Sequence, residues 1–391
     1  MKKRRFRRPL ALAAAGTLGV VAVTAATAPA ASAQNLSGTL HHGAADHAVF
    51  VQTNNPAGNQ IDVFAAHRDG RLSLRQAVGT GGLGGQTAQS GADHLASQDS
   101  LVYDSNRGLL FAVNAGSDSL SMLSTWGHRA RLLQVVPSGG AFPVSVAVHG
   151  DLVYVLNAGG AGSVSGYRLV GDHLVALPGS TRSLGLGNTT PPFFLTSPGE
   201  VGFSPDGSEL IVTTKGSTNS LDVYGVDRSG YLTGRPTVTA DAGHVPFSFV
   251  YTPTGQMVVA EPGGSSLHTF AFGAGGTLTS LSASVSDNQA ALCWVTTAGR
   301  YYYVDNTGSG SVSAYTVAPD GTPSLLDGTG LPTATASGPI DLAASHDGQF
   351  LYVESGPTGT VDEFQVNADG SLAGLGSVSG LGVGIEGIAT S

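Results

Sequence analysis

The chain has 391 residues, 57 of them Gly, and carries 18 Lys and Arg against 27 Asp and Glu. Hydrophobic residues make up 41%, which excludes a disordered polymer, and Gly without a fixed G-X-Y period excludes collagen. What remains is a globular chain rich in tight turns, and that points to many short strands.

Met1 to Arg8 holds six cations, Lys2, Lys3, Arg4, Arg5, Arg7 and Arg8. An apolar run follows from Leu10 to Ala26, then the small triplet Ala31-Ser32-Ala33. Charged head, apolar middle and small-residue cleavage site read as a secretory signal over residues 1–33. Residues 34–47 read as a flexible N-terminal segment, and 48–391 as the folded domain. The expectation is a secreted, extracellular protein. Cleavage after Ala33 leaves 12 cations against 27 acids, and Lys215 is then the only Lys. No basic stripe exists for a phosphate backbone, so nucleic acid is excluded as a partner. No second segment reaches the ~18 apolar residues of a membrane span. The single Cys293 cannot form an internal disulfide and reads as a buried small hydrophobe.

One pattern then repeats along the chain. An apolar strand ends in Asn or an acid, a Gly/Ser loop follows, and then comes Ser-hydrophobic-x-x-aromatic. Often an Asp-Gly-x-Leu turn closes the unit, as in Asp69-Gly70-Arg71-Leu72. Copies include Leu110 to Asn114 with Ser119 to Leu123, Tyr302 to Asp305 with Ser311 to Tyr315, and Leu351 to Glu354 with Thr360 to Phe364. There are seven copies, closing at positions 64, 123, 167, 224, 270, 315 and 364. A spacing near 45–50 with four strands per unit is that of propeller blades. Two longer units carry insertions around Gly81–His94 and Arg182–Pro198, expected as long loops on one face. Pro198 to Gly207, Pro246 to Gly255 and Pro339 to Gly348 each read as an inner strand and a tight turn. The first unit lacks an inner strand, and Ile385–Thr390 matches the missing piece. The fold class is therefore all-β: a seven-bladed β-propeller of four-stranded antiparallel blades, closed by the C-terminal strand.

Phe203-Ser204-Pro205-Asp206-Gly207, Leu351-Tyr352-Val353 and Val312-Ser313-Ala314-Tyr315-Thr316 resemble the bacterial lactonase-type seven-bladed propellers, which include 6-phosphogluconolactonase and carboxymuconate cyclase classes. The resemblance covers roughly residues 46–391. It implies a small lactone or sugar-acid ligand at the channel mouth, hydrolysed or simply bound. Family enzymes tend to carry His or Arg-His after the Pro that opens an inner strand. Here those places hold Gly199 and Glu200, Phe247 and Ser248, and Ile340 and Asp341. Whether the chain is an enzyme therefore stays open. The alternative is a non-catalytic binding propeller for a protein, glycan or cell-surface partner.

Strand order brings one set of residues to the face where inner strands begin. Asn114, Asn157, Lys215, Glu261, Asp305 and Glu354 end second strands, while Glu200, Asp341 and Glu386 sit at inner-strand starts. Three readings of these acids stay open. They accept backbone N–H bonds, or they hold a divalent cation such as Ca²⁺, or crowding raises their pKa values for acid/base work. The metal reading takes Glu200, Asp341 and Glu386. The acid/base reading takes Glu200 and Glu261, with His244 as a general base.

Overall fold

The computed structural model describes residues 47–391, so the expected signal segment and most of the expected flexible segment lie outside the described residues. Seven antiparallel sheets follow one another around an axis. Blade one holds His47–Gln52, Gln60–Ala66 and Leu72–Gly79, with Ile388–Thr390 as its inner strand. Blades two to seven start with inner strands Leu101–Asp104, Pro143–His149, Val201–Phe203, Ser248–Tyr251, Leu292–Ala298 and Pro339–Ala344. The C-terminal strand pairs Val49 with Thr390 and Val51 with Ile388, closing the ring. His47 opens the first strand, where its ring lies 6.5 Å from Phe350. The first strand thus takes in His47, a residue that the sequence had left to the flexible segment.

Burial follows position in the blade. Second strands such as Leu109–Asn114 and Tyr301–Asn306 are buried along their whole length. They lie between neighbouring sheets, so both faces need apolar cover. Outer strands such as Leu372–Ser379 alternate towards solvent. The core is accordingly a ring of apolar clusters between adjacent blades.

The Asp-Gly-x-Leu turns have a packing role. The hydroxyl of Tyr303 in blade six donates to the carbonyl of Gly370 in blade seven at 2.8 Å. Tyr154 in blade three does the same to Gly230, in the Ser-Gly-Tyr-Leu turn of blade four, at 2.7 Å. Gly370 has φ +86°, and a Cβ there would stand 2.6 Å from the Tyr301 ring. The turn needs Gly for its left-handed backbone and for the neighbouring ring alike.

Two insertions lie on the face where inner strands begin. Residues 80–100 join blades one and two, and residues 184–200 join blades three and four. They meet each other through a parallel bridge between Ala88 and Phe193. Gly84 sits so close to the Asn54 carbonyl that a Cβ would be 2.0 Å from its oxygen. The Gly-rich stretch therefore serves close backbone packing.

Candidate functional site

The first insertion turns inward at its end and crosses the axis. Leu95, Ala96 and Ser97 are fully buried. Five bonds hold this segment to several blades. Leu95 N–H donates to Glu386 Oε2 at 2.5 Å, and Ser97 Oγ donates to the Val144 carbonyl at 2.7 Å. Trp294 Nε1–H donates to the Ser97 carbonyl at 2.9 Å, Val295 N–H to Gln98 Oε1 at 3.1 Å, and Gln98 N–H to the Gly199 carbonyl at 3.0 Å. Lys215 Nζ donates to the carbonyls of Ala96, at 2.5 Å, and Phe194, at 2.8 Å, so it ties both insertions together. The segment 93–100 plugs one end of the channel.

Beyond the plug an axial cavity of about 540 Å³ remains. Gln98, Asp99, Glu200 and Asp341 line its closed end. Its walls follow the inner strands down to Tyr103, His149, Pro205 and Tyr251. Tyr103, His149 and Tyr251 are only part-buried, so the cavity opens on the face of the turns between inner and second strands. The expected mouth on the opposite face is the one that the plug fills.

The closed end is a group of buried carboxyls. Asp99 and Asp341 both have left-handed backbones, φ 60° and 55°, at the entry to inner strands of blades two and seven. Asp tolerates that conformation better than most side chains. Asp341 Oδ1 accepts from Leu342 N–H at 2.9 Å and its Oδ2 from Ile388 N–H at 3.3 Å. Glu200 Oε2 accepts from Phe249 N–H at 2.7 Å. Burial pushes the Asp341 carboxyl up to about 8, and the charge of Asp99 adds to this. Burial pushes Asp99 up to about 7. It raises Glu200 well above the ordinary range, with Asp99 and Asp341 adding their repulsion. Near neutral pH this group shares protons, so it can donate to a ligand carbonyl and accept from a water or hydroxyl.

The other sequence candidates fall elsewhere. Glu386 binds the plug, accepting from Leu95 N–H and, at 3.4 Å, from Ser97 N–H. Glu200, Asp341 and Glu386 thus do not gather as one ligand set, because backbone amides from different segments take each carboxyl. Glu354 accepts from Gly387 N–H at 2.9 Å and Asp305 from Trp294 N–H at 3.3 Å, both fully buried. Asn114 Oδ1 accepts from Asn59 and Thr80, and Asn157 Nδ2 donates to the Ser138 carbonyl at 3.3 Å. These two Asn residues brace blades and do not face the cavity. Cys293 is half-buried beside the blade-six core, more open than its apolar run suggested.

Glu261 and His244 do converge, at 3.4 Å between Oε2 and Nδ1, but apart from Glu200. Two residues that the sequence did not single out join them. Asp241 Oδ1 lies 3.0 Å from His244 Nδ1, and His268 Nδ1 lies 2.7 Å from Glu261 Oε1. Asp241 and His244 share a turn after the outer strand of blade four, closed by His244 N–H donating to the Asp241 carbonyl at 3.2 Å. Glu261 and His268 lie on adjacent strands of blade five. An i, i+3 Asp–His pair before a Pro-opened strand was the one signal the sequence offered for Asp241. His268 had none, because it sits mid-strand in a repeat position that other blades fill with Ser or Asp. Asp99 and Asp93 were also missed, since an insertion gives no repeat from which to place them.

Residues 261–384 match the family model described as Lactonase, 7-bladed beta-propeller. No curated protein matches the chain significantly. Among solved structures, a Lactobacillus plantarum protein is 19% identical with TM-score 0.70, covering 88% of this chain and 99% of its own. A Bacteroides uniformis protein, proposed to be a 6-phosphogluconolactonase, is 18% identical with TM-score 0.69 over 88% of this chain and 100% of its own. The Pseudomonas aeruginosa periplasmic gluconolactonase PpgL is 16% identical with TM-score 0.68, covering 88% and 98%. At these identities the structures share the fold.

Proposed function

We propose that this lactonase-type seven-bladed propeller takes an uncharged, hydroxylated small molecule of the sugar-lactone class into its axial cavity and opens the ester there. The observation that carries the reading is the closed end of that cavity, where Asp99, Glu200 and Asp341 meet in a space of about 540 Å³. That volume lies within the range of small-ligand pockets. A carboxyl held neutral donates to the lactone carbonyl, while an ionised neighbour takes a proton from the attacking water. The C–O ring bond breaks, the ring oxygen takes the proton that the neighbour drew from water, the carbonyl oxygen returns its proton to the first carboxyl, and the hydroxy acid leaves and ionises. Its new negative charge is repelled by the acidic group, which favours release, and the same repulsion disfavours phosphorylated lactones as substrates.

The test is a panel of neutral and phosphorylated aldonolactones, followed by proton release above the spontaneous rate. Turnover of a neutral lactone, lost in Asp341→Asn and Glu200→Gln, supports the reading. Neither turnover nor binding of any lactone by calorimetry overturns it. A second reading, binding without turnover, is favoured by one observation. No Arg or Lys is among the residues lining the cavity, so an oxyanion has no cationic partner there. A ligand that raises the melting temperature but is not hydrolysed would decide for it. A protein or glycan partner would instead leave the cavity variants without effect.

The first 33 residues support export as part of the same proposal. N-terminal sequencing of the protein from culture supernatant should start near Gln34. Uncleaved chain in the membrane fraction would contradict it. Among the described residues no helix is long and apolar enough to cross a membrane.

A further inference from the structure

We propose that Asp241, His244, Glu261 and His268 bind one divalent transition-metal ion of the Zn²⁺ class, at the junction of blades four and five. This site is separate from the axial cavity and does not depend on the lactone reading.

The geometry comes first. Each of the four side chains offers one ligand atom, and all four atoms lie within 4.8 Å of one another. Bonds of ~2.0–2.1 Å in a tetrahedral site put ligand atoms ~3.3 Å apart. The pairs here span that value. His244 Nδ1 is 3.0 Å from Asp241 Oδ1 and 3.4 Å from Glu261 Oε2. His268 Nδ1 is 2.7 Å from Glu261 Oε1 and 3.9 Å from Asp241 Oδ1. Small side-chain shifts would bring the four to equal spacing.

Proton bookkeeping at His268 is the second observation. The Ser280 hydroxyl donates to the Ser282 carbonyl at 2.8 Å. Its oxygen then accepts from His268 Nε2, 2.7 Å away, so Nε2 carries the hydrogen. In a neutral ring Nδ1 would therefore present a lone pair to the Glu261 carboxylate at 2.7 Å. Two lone pairs cannot stay that close without a positive charge between them. Either the ring is an imidazolium or a cation takes that place. A ring whose other nitrogen donates to an outer partner is how metal-bound His is usually held.

Third, Asp241 is short of partners. Its side chain is only 5% exposed, and Oδ2 has no hydrogen-bond partner. Glu261 is better supplied, since Ser266 Oγ donates to its Oε2 at 2.9 Å. Two buried carboxylates and two neutral imidazoles carry charge −2, which a divalent ion neutralises. His244, with 43% of its side chain exposed, provides the way in. The two imidazole ligands select a borderline metal over Ca²⁺, which prefers oxygen alone.

The experiment uses untagged protein without a His-tag, stripped with EDTA and dialysed. Titration with ZnCl₂ by calorimetry should show one equivalent bound, with a rise in melting temperature that EDTA reverses. His244→Ala, at a half-exposed position, should fold normally and bind more weakly, on the order of 10–100-fold. Asp241→Asn should do likewise, and Asp341→Asn in the cavity should bind as the wild type does. Absence of binding at sub-millimolar ZnCl₂ overturns the proposal, as does equal affinity in His244→Ala and Asp241→Asn. CaCl₂ binding as tightly as ZnCl₂ also overturns it. If His268 is instead an imidazolium, its ring resonances titrate with pH and do not respond to ZnCl₂.

Discussion

Trp294 Nε1–H donates to the carbonyl of Ser97 at 2.9 Å, joining positions 197 residues apart. The indole is fully buried and packs edge-on against Phe247, with ring centroids 4.6 Å apart. Through this bond blade six holds the segment that closes one end of the channel. The channel becomes a blind cavity, and the acids at its closed end lose contact with water on that side.

Replacing Trp294 by Phe removes the donor and leaves the Ser97 carbonyl unpaired inside the core. An orphaned buried acceptor and a small void together should cost about 2–4 kcal/mol. Urea unfolding should show a lower midpoint at unchanged slope. A midpoint equal to wild type would mean that the plug is held by its remaining bonds, those of Glu386, Ser97, Gln98 and Lys215.

Stability should fall as pH rises from about 4 to 8. Asp99 and Asp341 are pushed up to about 7 and about 8, and burial also raises Glu200, Glu354 and Glu386. In that window the folded state keeps protons that the unfolded chain has released, so each neutral group loses on the order of 1 kcal/mol per pH unit. Lys215, lowered to about 8 by burial, acts only above that window, where the unfolded chain still holds its proton. Melting temperatures at pH 5 should exceed those at pH 8. Asp341→Asn should flatten the slope, and an unchanged slope in that variant would show that its carboxyl is ionised throughout.

Deleting residues 383–391 should unfold or strongly destabilise the ring. The deletion removes buried Ile385 and Ile388 and the inner strand of blade one. It also strips Leu95 of its acceptor on Glu386. Soluble expression and thermal melting test this, and a truncated chain that melts like the full one would show that the ring does not need its C-terminal strand.

Much of the fold was legible because the repeats are local. The strand that ends in Asn or an acid, as after Leu351-Tyr352-Val353, and the Ser-led third strand recur at one place in most blades, and the Asp-Gly-x-Leu turn closes blades one and seven at Asp69-Gly70 and Asp369-Gly370. Period-2 alternation and turn chemistry need no knowledge of distant residues. Ring closure was readable for the same reason, since blade one lacked an inner strand and Ile385–Thr390 had no other partner.

The site was only partly legible. The structure has Glu200 and Asp341 on the axial cavity and His244 beside Glu261, whereas strand order put all four together on one face. It could not say that the insertion after Gly79 would turn inward, because that depends on bonds such as Gln98 to Val295 and Ser97 to Trp294, made across the ring. Nor could it separate acids that line the cavity from those, like Glu386, that are spent on the plug. Sequence by itself determined the blades, their number and their closure, since these follow from residue-by-residue periodicity. Tertiary structure alone decided which end of the channel stays open and which carboxyls meet. A carboxyl's protonation and partners depend on how much water and charge surround it, and that environment is assembled from segments far apart in the chain.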